Sequence, residues 1–497
     1  MKYLPVFNET IDSEPIEVNR RINVIFSSNI FLFLFFPCVL LIYFLLHRPY
    51  RNMFLLLSSL AFYAWGEPKF VFVMVGSIVI NYSAAIAVEK NCGRQGIRKL
   101  LLIATVVANL SLLIYYKYLD FFIETVNCFG FAIPMRGIVL PIGISFFTFQ
   151  AMSYVIDVYR GDAAVQKKVH NVALYIAFFP QLIAGPIVRY QTIANQIEER
   201  THSFSMFSNG TKRFVCGFAK KIILANNMAI IADKAFGLPA SERSILYAWL
   251  GVIAYSLQIY FDFSGYSDMA VGLGKMFGFT FLENFNYPYI SKSVSEFWRR
   301  WHISLGQWFR DYLYFPLGGS RVRRKSRLVV NLLIVWVLTG FWHGASWNTV
   351  LWGLLYFVLI SFEKLSGYPD KFHSCAASVL YRIFTLLCVV SGMVLVRTSS
   401  VAQALQYYAG MLGMQGNRFY CEHVYAALRD YWFFVLSSII CSTELFRYIS
   451  GVVNAKKSRA VSAAISFISV AGYIFLLVWS FSYIILGSHN PFIYFNF

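Results

Sequence analysis

Along the chain, apolar runs of about 20 residues alternate with short charged turns, the pattern of helices that cross a bilayer core about 30 Å thick. Phe26 to Leu46 is the first such run, and the basic turn His47-Arg48-Pro49-Tyr50-Arg51 follows it. Basic residues flank spans on the cytoplasmic side, so this turn is expected inside and the segment before Phe26 outside. Phe54 to Trp65 is shorter, breaks at Gly66-Glu67-Pro68-Lys69, and the chain returns through Phe70 to Val88 to Lys90, Arg94, Arg98 and Lys99. Both basic turns agree on orientation.

Leu100 to Tyr116 leads outward and Ile138 to Val158 comes back, with Pro141 and Gly143 near its start. The residue before a proline is pushed out of helical geometry, so this segment is expected to begin irregularly. Leu174 to Val188 holds Pro180, Gly185 and Pro186 and is short for a span. It reads as re-entrant, since broken backbone at membrane depth survives only against protein or water. Phe214 to Phe236 carries Lys220 and Lys221, and Trp249 to Met276 carries Asp262, Ser264, Tyr266 and Asp268. Asp262 and Tyr266 share a helical face at i and i+4. Those acids either take part in a pathway through the membrane or balance nearby arginines structurally. Further spans are expected at Val350 to Phe362, Val379 to Val396, Trp432 to Phe446 and, after the basic turn Lys456-Lys457-Ser458-Arg459, Ala460 to Leu486. The sum is an all-α polytopic membrane protein with roughly ten to twelve transmembrane helices and additional re-entrant and interfacial segments.

Three regions follow: a polar N-terminal leader over 1–24, a transmembrane domain over 25–488 and an aromatic tail over 489–497. The leader, with Glu9, Asp12, Glu14 and Glu17, is too polar for the apolar region of a signal peptide. Composition supports the membrane assignment, with 58% hydrophobic residues and only 13% charged. The net charge of +19 resides in short loops and forms no basic soluble face, so lipid and not nucleic acid is the expected surrounding. Cysteines at 38, 92, 128, 216, 375, 388, 421 and 441 contain no CxxC and are read as packing residues.

Chemistry concentrates between Ser291 and Asn348, where ionisable groups, aromatics and glycines interleave. If Ser295 to Phe309 is one helix, Trp298, His302, Leu305 and Phe309 line one face, Arg299 and Arg310 another, and Glu296 pairs with Arg300 at i+4. Those arginines, with the basic run from Arg321 to Arg327, would suit a phosphate-rich donor; ordinary positive-inside flanking accounts for part of the cluster. His343 ends an apolar run from Leu328 to Phe341 that reaches the membrane interior. A buried neutral imidazole there can act as general base on a hydroxyl, or can be a satisfied core residue. Trp342, Gly340, Gly344, Ser346 and Trp347 around it speak for the first reading, although a lone buried histidine is more often the second. The two histidines lack carboxylate or cysteine companions at ligand spacing, so no metal is expected.

These motifs resemble the membrane-bound O-acyltransferase family, in the bacterial branch that holds the alginate O-acetyltransferase membrane subunit and the membrane acyltransferase of teichoic-acid D-alanylation. The resemblance rests on Phe26-Ser27-Ser28-Asn29, Tyr159-Arg160, the run from Phe179 to Tyr190, Asp262-Phe263-Ser264-Gly265-Tyr266-Ser267-Asp268 and Glu296 to Gly319. It departs in the acidic leader and in Asn496, where relatives often carry Gln. The resemblance implies helices around a central tunnel, where a cytosolic thioester donor, acetyl-CoA or another acyl thioester, meets an acceptor from outside. It makes His343 the catalytic residue and places His302 by the tunnel, where it would position the donor or the oxyanion. Arg299, Arg300 and Arg310, with Trp298 and Trp301, would bind the donor. Asp262, Ser264, Asp268, Trp342 and Ser346 would line or support the tunnel. Tyr494, in a C-terminal ending shared by several acylation systems, would either carry the acyl group or anchor an aromatic tail at the interface. The implied partners are a polysaccharide acceptor and an extracytoplasmic transferase resembling SGNH hydrolases, and the implied location is the bacterial inner membrane. Two alternatives remain: D-alanyl transfer from a carrier protein, and a proton-coupled transporter or flippase using the buried acids and histidines as a relay.

Overall fold

The computed structural model describes residues 26–371, 374–455 and 459–487. The leader 1–24, the turn residues 456–458 and the tail with Tyr494 lie outside the described residues. Helices dominate: α1 (Phe36–Leu45), α2 (Arg51–Gly66), α3 (Val71–Lys90), α4 (Gln95–Leu113), α5 (Leu119–Asn127), α6 (Ile144–Arg160), α7 (Val169–Ala177), α8 (Phe179–Leu182), α9 (Tyr190–Glu198) and α10 (Phe204–Ala219) come first. Then follow α11 (Asn226–Gly237), α12 (Ile245–Met276), α13 (Val294–Arg300), α14 (Ile303–Phe309), α15 (Lys325–His343), α16 (Trp347–Ser366), α17 (Cys375–Arg397), α18 (Val401–Met411), α19 (Glu422–Cys441), α20 (Leu445–Ala455) and α21 (Arg459–Ile485). Among the described residues, nine helices are long and apolar enough to cross a membrane; α1, α2, α6 and the α7–α8 pair are shorter.

The irregular segments fall where proline and glycine foretell them. Gly143, at φ +75°, turns the extended chain into α6, and a Cβ there would meet the Leu182 carbonyl oxygen at 2.7 Å. The stretch expected to be re-entrant falls on α7 and α8, interrupted at Phe178 and buried from Asn171 onward among α2, α3 and α12. Two expectations change. Ser295 to Phe309 is two short helices, because His302 adopts a left-handed conformation, φ +47°, between α13 and α14. The span that begins at Leu100 continues past Tyr116: a π turn over Ile114–Tyr118 joins α4 to α5, and the helix runs on to Asn127.

Helices α10 and α12 meet backbone to backbone. A Cβ on Gly217 would lie 2.5 Å from the Gly265 carbonyl oxygen, and one on Gly272 2.6 Å from that of Gly210. Small residues of this kind drive helix association in lipid, where apolar side chains gain little by leaving the bilayer. Polar pairs add to it: Asn81 and Asn109 exchange amide hydrogen bonds of 3.0 and 2.9 Å between α3 and α4.

Candidate functional site

Two buried histidines meet where α15 ends and the α13–α14 turn passes beneath it, their ring centroids 6.4 Å apart. His302 is 1% exposed and His343 6%. The side-chain oxygen of Asn284 accepts from the Ser304 backbone N–H (3.2 Å), from Ser304 Oγ (2.9 Å) and from His302 Nδ1 (3.1 Å). The backbone N–H fixes which amide atom is oxygen, so Nδ1 must carry the proton and Nε2 the lone pair. Among the described residues Nε2 has no partner. Burial, with a smaller contribution from His343, pushes the His302 imidazole well below its ordinary range and keeps it neutral. An oxyanion would need an N–H at Nε2, so this tautomer is suited to accepting a hydrogen bond from a donor molecule.

His343 is held by rings. Trp352 of α16 crosses it at 4.8 Å and Trp342 at 5.0 Å, and Trp342 also packs edge-on against His302 at 5.5 Å. Backbone contact makes this wall rigid: a Cβ on Gly340 would lie 2.5 Å from the Thr349 carbonyl oxygen. Ser346 caps α16 by accepting from the Thr349 N–H, and the Thr349 hydroxyl donates to the Gly344 carbonyl at 2.7 Å. Ser346 thus shapes the turn after His343.

A cavity of about 430 Å³ reaches His302 of this pair. Its lining climbs α15 through Leu332, Trp336 and Thr339, and His343 is the next residue on that face, one turn beyond Thr339. Trp298, Trp301, His302, Leu305 and Phe309 form the opposite wall, while the exposed Arg299, Arg310 and Lys364 border it at the basic end of α15. The Trp298 indole N–H and His302 Nε2 are buried without partners among the described residues and offer this largely apolar cavity a donor and an acceptor. Glu363 sets the position of α13, its carboxylate accepting from the backbone N–H of Val294 (2.7 Å) and Ser295 (2.8 Å). A carboxylate on the first N–H groups of a helix answers both their unpaired donors and the helix dipole.

Comparisons with known proteins agree with this architecture. The model of the membrane-bound O-acyltransferase family matches residues 143–367. The probable alginate O-acetylase AlgI of Pseudomonas aeruginosa is 42% identical over 393 residues, 78% of this chain and 75% of its own. This chain belongs to the membrane-bound O-acyltransferase family. It is a multi-pass membrane acyltransferase. The peptidoglycan O-acetyltransferase of Helicobacter pylori is 32% identical over 97% of this chain and 99% of its own. The teichoic acid D-alanyltransferase of Bacillus subtilis is 31% identical, over 46% of this chain and 62% of its own.

Within this O-acyltransferase the residues expected from sequence separate into groups. His302, His343, Trp342, Trp298, Trp301, Arg299 and Arg310 gather at the histidines and the cavity. Arg300 turns away to Glu296 (2.9 Å) and to the Asn286 carbonyl (3.1 Å). Asp262 forms an ion pair with Lys221 at 2.8 Å, and Asp268 pairs with Arg213 and Lys220 at 2.7 Å each; Ser264 is buried on the same helix. The acids therefore join α12 to α10 and its π extension, mostly through lysines where arginines were expected. Among the described residues no three His, Cys, Asp or Glu side chains gather as a metal site would require.

Sequence reasoning missed Asn284 and Lys117. Lys117 is buried, its Nζ donating to the Trp342 carbonyl (2.5 Å) with Ser145 Oγ at 3.3 Å. The beside-lying Tyr118 hydroxyl donates to the Phe341 carbonyl at 2.9 Å. A lysine inside the bilayer costs roughly 3 kcal/mol on insertion scales, which was the available signal. It went unread because the span was ended at Tyr116.

Proposed function

We propose that the protein moves an acyl group, acetyl being favoured, from a cytosolic thioester such as acetyl-CoA to hydroxyls of an exported or cell-envelope polysaccharide. The observation that carries this reading is a cavity with a basic rim and apolar walls that reaches the buried His302 imidazole, 6.4 Å from that of His343. The arginines suit the donor's phosphates, and the Trp298 N–H and His302 Nε2 suit the amides of its pantetheine arm. Acetyl is favoured over D-alanyl because the O-acetylase relatives match over 78% and 97% of this chain, against 46% for the D-alanyltransferase.

In the proposed reaction His343 takes the proton of an attacking hydroxyl. The oxygen adds to the thioester carbonyl carbon, the C–S bond breaks as the tetrahedral intermediate collapses, and the leaving thiolate receives the proton from the imidazolium. His302 holds the donor arm. The attacking hydroxyl belongs either to the polymer or to Tyr494, which would pass the acyl group outward in a second ester exchange. An extracytoplasmic transferase completes the delivery, and the protein resides in the bacterial inner membrane.

Oriented vesicles test the whole path. Radiolabelled acetyl-CoA supplied at the cytoplasmic face should yield acetyl ester on polymer outside, and supplied outside should yield none. Ester formed equally from either face contradicts the path. In the same vesicles Tyr494→Phe, which removes the relay's attacking hydroxyl, should lower thiol release and polymer labelling together; normal polymer labelling removes the tyrosine relay.

A further inference from the structure

The C-terminal end of a helix carries carbonyls with no partner in its own ladder. In α15 those carbonyls belong to the residues just before His343, and they are met by adjacent side chains of another element. Lys117 Nζ donates to the Trp342 carbonyl and the Tyr118 hydroxyl to the Phe341 carbonyl. Both donors come from the π turn over Ile114–Tyr118. Such turns are rare, sit as single bulges inside α-helices and recur at functional sites. Here the turn aims two consecutive side chains at two consecutive carbonyls. Lys117 also lies within 3.3 Å of Ser145 Oγ on α6, so one amine joins three elements. The aromatic edges of Tyr118 and Phe341 close the contact at 6.0 Å.

We infer that Lys117 and Tyr118 form a clamp that fixes the His343-bearing end of α15, with Lys117 the principal positioning residue of the acyl transfer. This rests on the reading of His343 as the base. Holding Trp342 by its carbonyl also holds the ring that packs against both histidines. A helix end left free at this point would let the imidazole wander. A misplacement of about 1 Å is enough to cost about 100-fold in rate.

Purified protein in lipid nanodiscs, given acetyl-CoA, provides the test through thiol release. Lys117→Met keeps the length and apolar stem of the side chain and removes the donor. It should lower kcat about 100-fold while the KM for acetyl-CoA stays within about twofold, because the donor passage is untouched. Tyr118→Phe, which removes only the hydroxyl, should lower kcat about tenfold with the same KM. On a His343→Ala background neither change should reduce the residual rate further, since both act through the imidazole. A kcat left unchanged by both variants overturns the clamp. So does a rise in KM that accounts for the loss. If Lys117→Met does not fold, Tyr118→Phe decides by the same criteria. If His343→Ala itself keeps full thiol release, the reading of His343 fails instead, and the two failures are distinct.

Discussion

The chemistry of the site turns on single atoms. His302 sits in a left-handed backbone conformation that side-chain-bearing residues adopt at a cost of roughly 1–2 kcal/mol. Asn284 offsets that cost by accepting three hydrogen bonds with one oxygen, and in doing so selects the tautomer that leaves Nε2 free to accept. Asn284→Ala should therefore leave Nδ1 unsatisfied, cost about 1–3 kcal/mol of stability and raise the KM for the donor several-fold more than it lowers kcat. Thermal melting and thiol-release kinetics check this, and an unchanged KM would show that the tautomer does not matter to the donor. None of this was legible locally. The partner of His302 lies 18 positions upstream, on a loop with no periodicity to mark it.

At the scale of elements, the spans were readable from apolar runs and basic turns because lipid imposes that pattern on any helix crossing it. The breaks at Gly143 and Phe178 were readable too, since proline and glycine restrict the backbone wherever they occur. The break at His302 was not, because nothing in Arg300-Trp301-His302-Ile303 forbids a continuous helix. The continuation of the helix past Lys117 was hidden for the opposite reason. A charge normally marks the end of a span, and the carbonyl that makes this one tolerable belongs to α15, 225 positions away. Arg300 and Ser346 had site-like neighbours in sequence, yet the structure uses one in an ion pair and the other as a cap. Close glycine packing between α10 and α12 carries a prediction at this scale. Gly217→Leu must drive side-chain carbon into the Gly265 carbonyl and should lower the melting temperature in detergent by several degrees, consistent with an overpacking cost of about 1–3 kcal/mol. The same substitution at Gly76, with nothing within 4 Å, should leave it unchanged. Equal effects at both positions would show that the backbone contact contributes nothing.

Across the described residues, the helices divide into two interior clusters, one built on α1 to α4, α6 to α10 and α14 with part of α12, the other on α11 to α13 and α15 to α19. The histidine pair sits where they adjoin: Trp342 belongs to the first, Trp352 and Trp301 to the second. Helix α12 runs through both, fastened by the buried Lys221–Asp262 pair and by Asp268 with its two cations. This arrangement surrounds the cavity with packed helices, as the proposed transfer would need to admit a donor while excluding water. Its family was legible in the long motifs, while the wiring that aims the histidines was not.

The central claim is that the His343 imidazole performs the transfer. The most direct measurement is the rate of thiol release from acetyl-CoA by purified His343→Gln protein, whose amide keeps much of the ring's volume, alongside its melting temperature. The expected result is a melting temperature within a few degrees of the parent and a rate lower by at least about 1,000-fold, as loss of a general base requires. A normal rate from this well-folded variant would contradict the account.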